Sequence, residues 1–554
     1  MTRPIDLLRE GRREELWQAC CGFVDLSLEQ FMAMQKRLLQ EQIELLKRSE
    51  LGRKVMRGAL PDTVEDFREQ VPLTTYADYL PELAEKREEV LPTKPAMWVH
   101  TVGRIGEYNF KWVPLSEAFV YEFERVAGGV GLLASCDPQG DFLAKEHLKL
   151  LATMGSKDYG SGVVAYLCQQ ALGCDLCPAD AEAVGFQEKM EAGFQQALSQ
   201  GLDALGGLPS VLAFVGEEFK QAATNVDGRF FLSHPRASAR LMRGLVKSKL
   251  ARRPILPKDL WSLKVVVGGG NDSAIFRQKV EELWGRSPLE IYGGTEGGIY
   301  ATQAWDYEGM TFIPNLNFLE FIPEREWFKW QLDSSYQPKT VLLDEVKPGN
   351  SYELVITNLH GGILTRCRLG DVIRITSLRN EKAGIDIPQM IFQGRADDFI
   401  DVTGVGRLTE RVIRQAMENS SIPCVDWVAR KETTDSESVL HLYIELTEGH
   451  IAKEENLATT IRDQFRKLDK RHRCNLYNLI GNMERVLGLN PIKVTLLPQG
   501  AFSNYAADRR ATGVGKNHFN PPHINPPDEI LSSLRVPPVV VEAAPVAESE
   551  RAAA

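Results

Sequence analysis

The loop Tyr292-Gly293-Gly294-Thr295-Glu296 joins an aromatic face, a flexible backbone, a hydroxyl and a carboxylate. Such a set can cover a purine, bind phosphate oxygens and hold Mg2+ through Glu296. Further on, Arg366-Cys367-Arg368-Leu369-Gly370-Asp371 puts a carboxylate at a turn between strands, suited to accepting hydrogen bonds from ribose hydroxyls. Gly394-Arg395-Ala396-Asp397-Asp398 then falls where the composition changes, as a hinge would. Each fragment alone also fits a Gly hairpin, a surface ion pair or a capped turn. Their order along the chain carries the reading.

Standard phosphate motifs do not supply it. Gly513-Val514-Gly515-Lys516-Asn517 lacks the Walker A spacing and hydroxyl, and Gly268-Gly269-Gly270-Asn271-Asp272-Ser273 does not meet GxGxxG. Gly293-Gly294-Thr295-Glu296-Gly297 fits GxSxG with Thr for Ser, but a hydrolase elbow needs a helix immediately after it. Gly297-Gly298-Ile299-Tyr300 is poorly helical.

The elements that must position these residues are legible from periodicity. Residues 264–267 form a short apolar strand, Gly268-Gly269-Gly270 follow, and Asn271-Asp272-Ser273 cap a helix carrying Ile275, Val280 and Leu283. A second strand at 289–292 runs into the Tyr292 loop. This βαβ unit predicts a parallel sheet, whose ligands bind at the carboxyl ends of its strands. Strands at 352–357, 363–366 and 372–376 predict an antiparallel patch. Upstream, residues 15–48 read as helix, with Leu28, Met32, Leu39, Ile43 and Leu46 on one stripe packed on the body of the protein. Downstream, a helix at 407–418, a strand at 439–446, a helix at 456–470 and a strand at 492–497 predict an α+β unit. The Pro-, Ala- and Glu-biased end predicts a disordered tail.

The balance of 65 Lys+Arg against 75 Asp+Glu, a net charge of −10, argues against a nucleic-acid binder. There is no apolar run of about 18 residues, so no membrane span is expected. The charged start does not read as a secretory signal, and a cytoplasmic location follows as the expectation. Nine cysteines, with Cys174 and Cys177 as a lone CxxC near Cys168, predict free thiols rather than a zinc site.

Taken in order, these markers resemble the Gretchen Hagen auxin-responsive family of acyl acid–amido synthetases, within the adenylate-forming superfamily. The resemblance runs from Asp66-Phe67, Val71-Pro72-Leu73 and Tyr76-Ala77-Asp78, through Tyr292–Glu296 and Arg366–Asp371, to Leu497-Pro498-Gln499-Gly500-Ala501-Phe502. It implies an α/β fold: a large N-terminal adenylate-forming domain (1–394) with parallel and antiparallel sheets and helices, which binds ATP and the acyl group. A small mobile α+β C-terminal domain (395–527) would follow, with the disordered tail over 528–554.

The resemblance also implies a two-step reaction with ATP and Mg2+. A carboxylic acid is adenylated, and an amine or amino acid then displaces AMP. By similarity Gly268, Gly269, Gly270, Tyr292, Gly293, Gly294 and Thr295 would line the nucleotide, Glu296 would bind the metal and Asp371 the ribose. Arg395 would contact the nucleotide and Asp397 would mark the hinge. The phosphate loop matches at Thr101, Gly103, Gly106 and Lys111, while Val102 and Ile105 replace hydroxyl donors and Arg104 offers a cation. Near the end, where the family carries a Lys, the aligned residue is Asn520, and Lys516 is the nearest lysine. Lys111, Arg104 and Lys516 are thus the catalytic candidates. Alternatives are an acyl-CoA ligase using the same adenylate, and a homologue that binds nucleotide and acyl group without full turnover.

Overall fold

The computed structural model describes residues 2–101, 111–153, 157–178, 186–222, 235–270, 273–332, 336–395, 399–401, 407–433, 438–472, 492–511 and 521–534. The chain divides into two compact units, Met1–Gln393 and Gly394–Ala554.

The first unit is built on an eleven-stranded sheet. Its strands are β3 (Lys149–Ala152), β4 (Asp175–Leu176), β5 (Ala204–Gly207), β6 (Val265–Gly269), β7 (Leu289–Gly294), β8 (Gly298–Thr302), β9 (Met310–Phe312), β10 (Asn317–Pro323), β11 (Ser351–Asn358), β12 (Cys367–Ser377) and β13 (Gln389–Arg395). A separate hairpin pairs β1 (Pro95–Thr101) with β2 (Lys111–Ser116). The sheet order is β10-β11-β12-β13-β9-β8-β7-β6-β5-β3-β4.

From β4 to β7 every pairing is parallel, and β6 and β7 flank the helix Ser273–Trp284, so the expected βαβ unit is present. β7 then pairs antiparallel with β8. The change of direction therefore falls on β7, at the strand end that carries the Tyr292 loop. A strand, not a helix, follows that loop, which removes the hydrolase-elbow reading.

The helix Leu28–Arg48 starts at a capping box, with Gln30 N donating to Ser27 Oγ and Ser27 N to Gln30 Oε1. Met32, Leu39, Ile43 and Leu46 are buried along it. Two glutamines on the same face dock it to the sheet. Gln35 donates to Asn317 O at 2.7 Å and accepts from Leu319 N at 2.8 Å, satisfying backbone groups of the edge strand β10. Gln42 repeats the pattern one heptad later, on Gly362 O and Gly361 N.

Several sequence expectations are corrected. Residues 15–48 are not one helix: Arg13–Cys20 and Leu28–Arg48 are separated by a tight turn at Gly22–Asp25, and Arg407–Thr409 is a strand ahead of the helix Glu410–Asn419. Residues 363–366 are not a strand, because their polar backbone is satisfied elsewhere: Leu364 N by Asn358 Oδ1 and Thr365 N by the buried Tyr79 hydroxyl. Asp371 lies inside β12 rather than at a turn. The β11–β12 register shifts between Glu353 and Val355, and Gly370 takes a φ of +72°, so residues 369–371 bulge from the ladder.

The second unit holds a three-stranded sheet of β16 (Cys424–Thr433), β17 (Ser438–Leu446) and β18 (Ile492–Leu496), after a short hairpin of β14 (Phe399–Asp401) and β15 (Arg407–Thr409). β16 and β17 are antiparallel, β17 and β18 parallel. The helices Glu410–Asn419 and Glu454–His472 supply Ile413, Ile461 and Phe465 to its core. Asp528–Ser533 is helical where composition predicts a disordered tail, because Ile530, Leu531 and Leu534 find burial. Residues 535–554 lie outside the described residues.

Candidate active site

The carboxyl end of β7 is where the sequence-derived residues meet. In β6 and β7, Gly268 stands opposite Glu290 and Gly269 opposite Ile291, so the triple glycine and the Tyr292 loop leave adjacent parallel strands side by side. Gly270 has a φ of +132°, which suits only glycine, and a Cβ on Gly293 would stand 2.4 Å from Gly298 O. Thr295 is met by the first turn of the helix Gly160–Leu172, where a Cβ on Gly160 would lie 2.2 Å from Thr295 Oγ1.

Glu296 faces a cation. Lys111 Nζ lies 3.8 Å from its Oε1, and each side chain is 19% exposed, so ligand can reach both. Lys111 opens β2 and stands opposite Thr101 of β1, which places both expected residues at the loop end of one hairpin. Between them, Val102, Gly103, Arg104, Ile105 and Gly106 fall outside the described residues, as do Asp397, Lys516 and Asn520 and the side chains of Thr101 and Arg395.

Tyr76 holds Lys111 in place. Its hydroxyl donates to Trp112 O at 2.9 Å and accepts from Trp112 N at 2.7 Å, and its ring centroid is 5.4 Å from Lys111 Nζ. The segment before it runs beside β12, with Thr74 N donating to Arg366 O and Arg368 N to Thr74 O.

Asp371 and Tyr292 are joined directly. The Tyr292 hydroxyl donates to Asp371 Oδ2 at 2.8 Å, and the Tyr292 ring is buried between Tyr300 and Phe392 at centroid distances of 5.1 and 5.3 Å. Burial, with the Glu296 and Asp371 carboxylates close by, pushes the Tyr300 phenol well above its ordinary value, so it stays neutral. Burial and Glu296 likewise push the Cys367 thiol up to about 12 against the pull of Lys111, and an inert thiol results. The neighbouring His100, whose ring lies 4.6 Å from Trp112 and 4.3 Å from Tyr159, is lowered by burial.

Residues that sequence reasoning missed support the loop from behind. Asn317 Nδ2 donates to Gly297 O at 2.7 Å and Asn358 Nδ2 to Glu296 O at 2.9 Å. Arg366 and Arg368, read from the sequence beside Asp371, have structural partners. Arg366 makes a bidentate pair with buried Glu320 at 2.9 and 3.0 Å, and Arg368 pairs with Glu353 at 2.6 Å and lies over Trp330.

Glu296 is the carboxylate available for a cation, and among the described residues no group of three or more His, Cys, Asp or Glu could hold a metal ion. One carboxylate suits Mg2+, which takes its other ligands from substrate phosphates and water. Cys168, Cys174 and Cys177 form no disulfide.

Residues 21–100 match the profile of the GH3 family N-terminal domain and residues 310–395 that of the GH3 family central domain. The two matched segments make up less than half of the chain. Those two segments contain Tyr76, Asn317, Asn358 and Asp371, so the matched regions supply much of the site just described. A jasmonoyl–L-amino acid synthetase, JAR4 of Nicotiana attenuata, is 32% identical over 181 residues, covering 32% of this chain and 28% of that protein. The chain thus matches about a third of the length of such curated relatives, with 32% coverage for a 4-substituted benzoates–glutamate ligase of Arabidopsis thaliana.

Among solved structures, the AtGH3.15 acyl acid amido synthetase in complex with 2,4-DB superposes with a TM-score of 0.63 at 17% identity, over 94% of this chain and 95% of that one. An open conformation of a 2-hydroxyisobutyryl-CoA ligase does so with a TM-score of 0.55 at 16% identity, over 85% and 88%. The chain therefore shares the fold of these two structures, a mixed α/β architecture as expected. No helix among its described residues is long and apolar enough to cross a membrane.

Proposed function

We propose that this chain is an ATP-dependent acyl acid–amido synthetase of the cytoplasm. A carboxylate oxygen of the acid attacks the α-phosphorus of ATP and pyrophosphate leaves. An amine, such as an amino acid, then attacks the acyl carbon of the adenylate, AMP leaves with the bond electrons, and the amine gives up its proton. Neither step needs an enzyme nucleophile; both need positioning and charge stabilisation.

The observation that carries this reading is the pairing of Lys111 with Glu296 beside the Tyr292–Asp371 hydrogen bond, at the strand end where the sheet changes direction. In this reading Lys111 neutralises charge on the phosphates. Asp371, oriented by Tyr292, accepts from the ribose, and Gly268–Gly270 with Gly293–Thr295 line the nucleotide from the adjacent ends of β6 and β7. Mg2+ held by Glu296 would supply charge neutralisation at the phosphates. In the same reading Arg104 and Lys516 are further cations for the phosphates, Thr101, Gly103 and Gly106 line them, Arg395 contacts the nucleotide, and Asp397 is the hinge between the domains 1–394 and 395–527.

The GH3 domains and the amino-acid synthetases among the relatives favour amide formation. Acid-dependent ATP–pyrophosphate exchange, over a panel of aliphatic, aromatic and indolic acids with Mg2+, tests the first step. Amide product with an amine panel supports the proposal, whereas thioester formed only with CoA selects the acyl-CoA ligase. Tight AMP binding without exchange selects a homologue impaired by Val102, Ile105 and Asn520.

A further inference from the structure

The helix Pro235–Leu250 is apolar on two opposite sides. Ala237, Leu241, Gly244 and Ser248 form the buried side. At 100° per residue the far side carries Met242, Val246 and Leu250, spaced four apart, and these are 57%, 55% and 80% exposed. A helix packed on its own domain needs no second apolar stripe, and solvent penalises one.

The charge around that stripe is unlike the rest of the chain. From 236 to 253 the sequence has seven Lys or Arg and no Asp or Glu, in a protein of net charge −10. Two of the cations are occupied, Arg240 by Leu198 O and Arg253 by Asp259. The others make no ion pair among the described residues. On the helical wheel Lys249 lies on one shoulder of the stripe, and Arg243, Lys247 and Arg236 lie on the other.

We infer that this outward face docks on an anionic lipid bilayer. Long basic side chains flanking an apolar stripe can keep their charges at the headgroups while the stripe enters the acyl boundary. The charges attract anionic lipid specifically. A second copy is the poorer occupant, since a two-fold contact would set this basic helix against itself. The inference is independent of the catalytic reading, because the helix carries none of the site residues.

The test is co-sedimentation of the full-length protein with phosphatidylglycerol/phosphatidylcholine vesicles and with phosphatidylcholine alone, at low and high salt. The expected result is binding to the anionic vesicles only, weakened by salt, and reduced about tenfold both by Val246→Glu and by Arg243→Gln with Lys247→Gln. Thermal unfolding of each variant confirms that these exposed positions leave the fold intact. Absence of binding to anionic vesicles overturns the inference, as does binding unchanged in the folded variants. Concentration-dependent self-association abolished by Val246→Glu would also overturn it, by making another copy the occupant.

Discussion

Asn317 and Asn358 stand directly opposite each other in the β10–β11 ladder, and Asn358 Nδ2 donates to Asn317 Oδ1 at 2.9 Å. Together they hold two successive carbonyls of the β7–β8 loop, Glu296 O and Gly297 O. Both asparagines are buried, so their amide groups have no water as an alternative partner. Replacing either by Ala is expected to cost about 1–3 kcal/mol in urea unfolding. Because the two side chains bond each other, the double variant should lose less than the sum. Additive losses would show that the pair does not act as a unit.

Glu296→Gln separates function from stability. The Lys111 contact is long at 3.8 Å and is expected to contribute about 1 kcal/mol or less. If Glu296 holds the cation that neutralises the phosphates, ATP–pyrophosphate exchange should fall roughly 100-fold. Unfolding that changes little while exchange collapses is the expected result. Unaltered exchange would remove Glu296 from the proposed site.

Tyr292→Phe deletes one hydroxyl and its 2.8 Å bond to Asp371. The ring keeps its packing against Tyr300 and Phe392, so the fold should persist. A bond to a carboxylate contributes about 1.5–3 kcal/mol, so ATP binding should weaken by roughly tenfold or more. The effect should appear in the KM for ATP rather than in that for the acid.

The Arg366–Glu320 pair is buried on both sides. Burial disfavours the Glu320 charge, yet Arg366, with Thr340 and Arg68, holds its carboxyl below the usual range. Glu320→Gln or Arg366→Met should therefore cost about 3–5 kcal/mol, and the double apolar variant less. The pH sign follows from the lowered value. This stabilisation is full above the unfolded carboxyl value of about 4.3 and is lost as pH falls through the folded one.

In the C-terminal unit the sign is reversed. His523 donates from Nδ1 to Glu410 at 2.7 Å and from Nε2 to Asp426 at 2.9 Å, and stacks on Trp427. Burial opposes its charge, but the two carboxylates outweigh burial and raise it to about 9. Its contribution is complete below about pH 6.5, the unfolded value, and is lost as pH rises through about 9. Stability should fall by an amount on the order of 3 kcal/mol across that window, a slope that His523→Gln should abolish. An equal slope in the variant would place the titrating group elsewhere.

Much of the architecture is local and was legible for that reason. The β6 strand, its glycines, the helix Ser273–Trp284 and β7 each announce themselves by period and capping within one short window, and the parallel pairing follows from their order. That Glu296, Lys111 and Asp371 belong to one nucleotide site is an expectation from the order of motifs in a family resemblance, not from spacing. What tertiary structure alone decided lies in pairings distant along the chain. Gln35 reaches Asn317, Asn317 reaches Gly297, and Tyr292 reaches Asp371, each across a separation that register and docking close. A polar residue in an apolar run carries no local sign of its partner, because the partner is set by which strands become neighbours. The Asp371 bulge and the burial of Ile530 and Leu531 were hidden for the same reason. Local sequence determined which elements form; the sheet order determined which side chains they bring within reach.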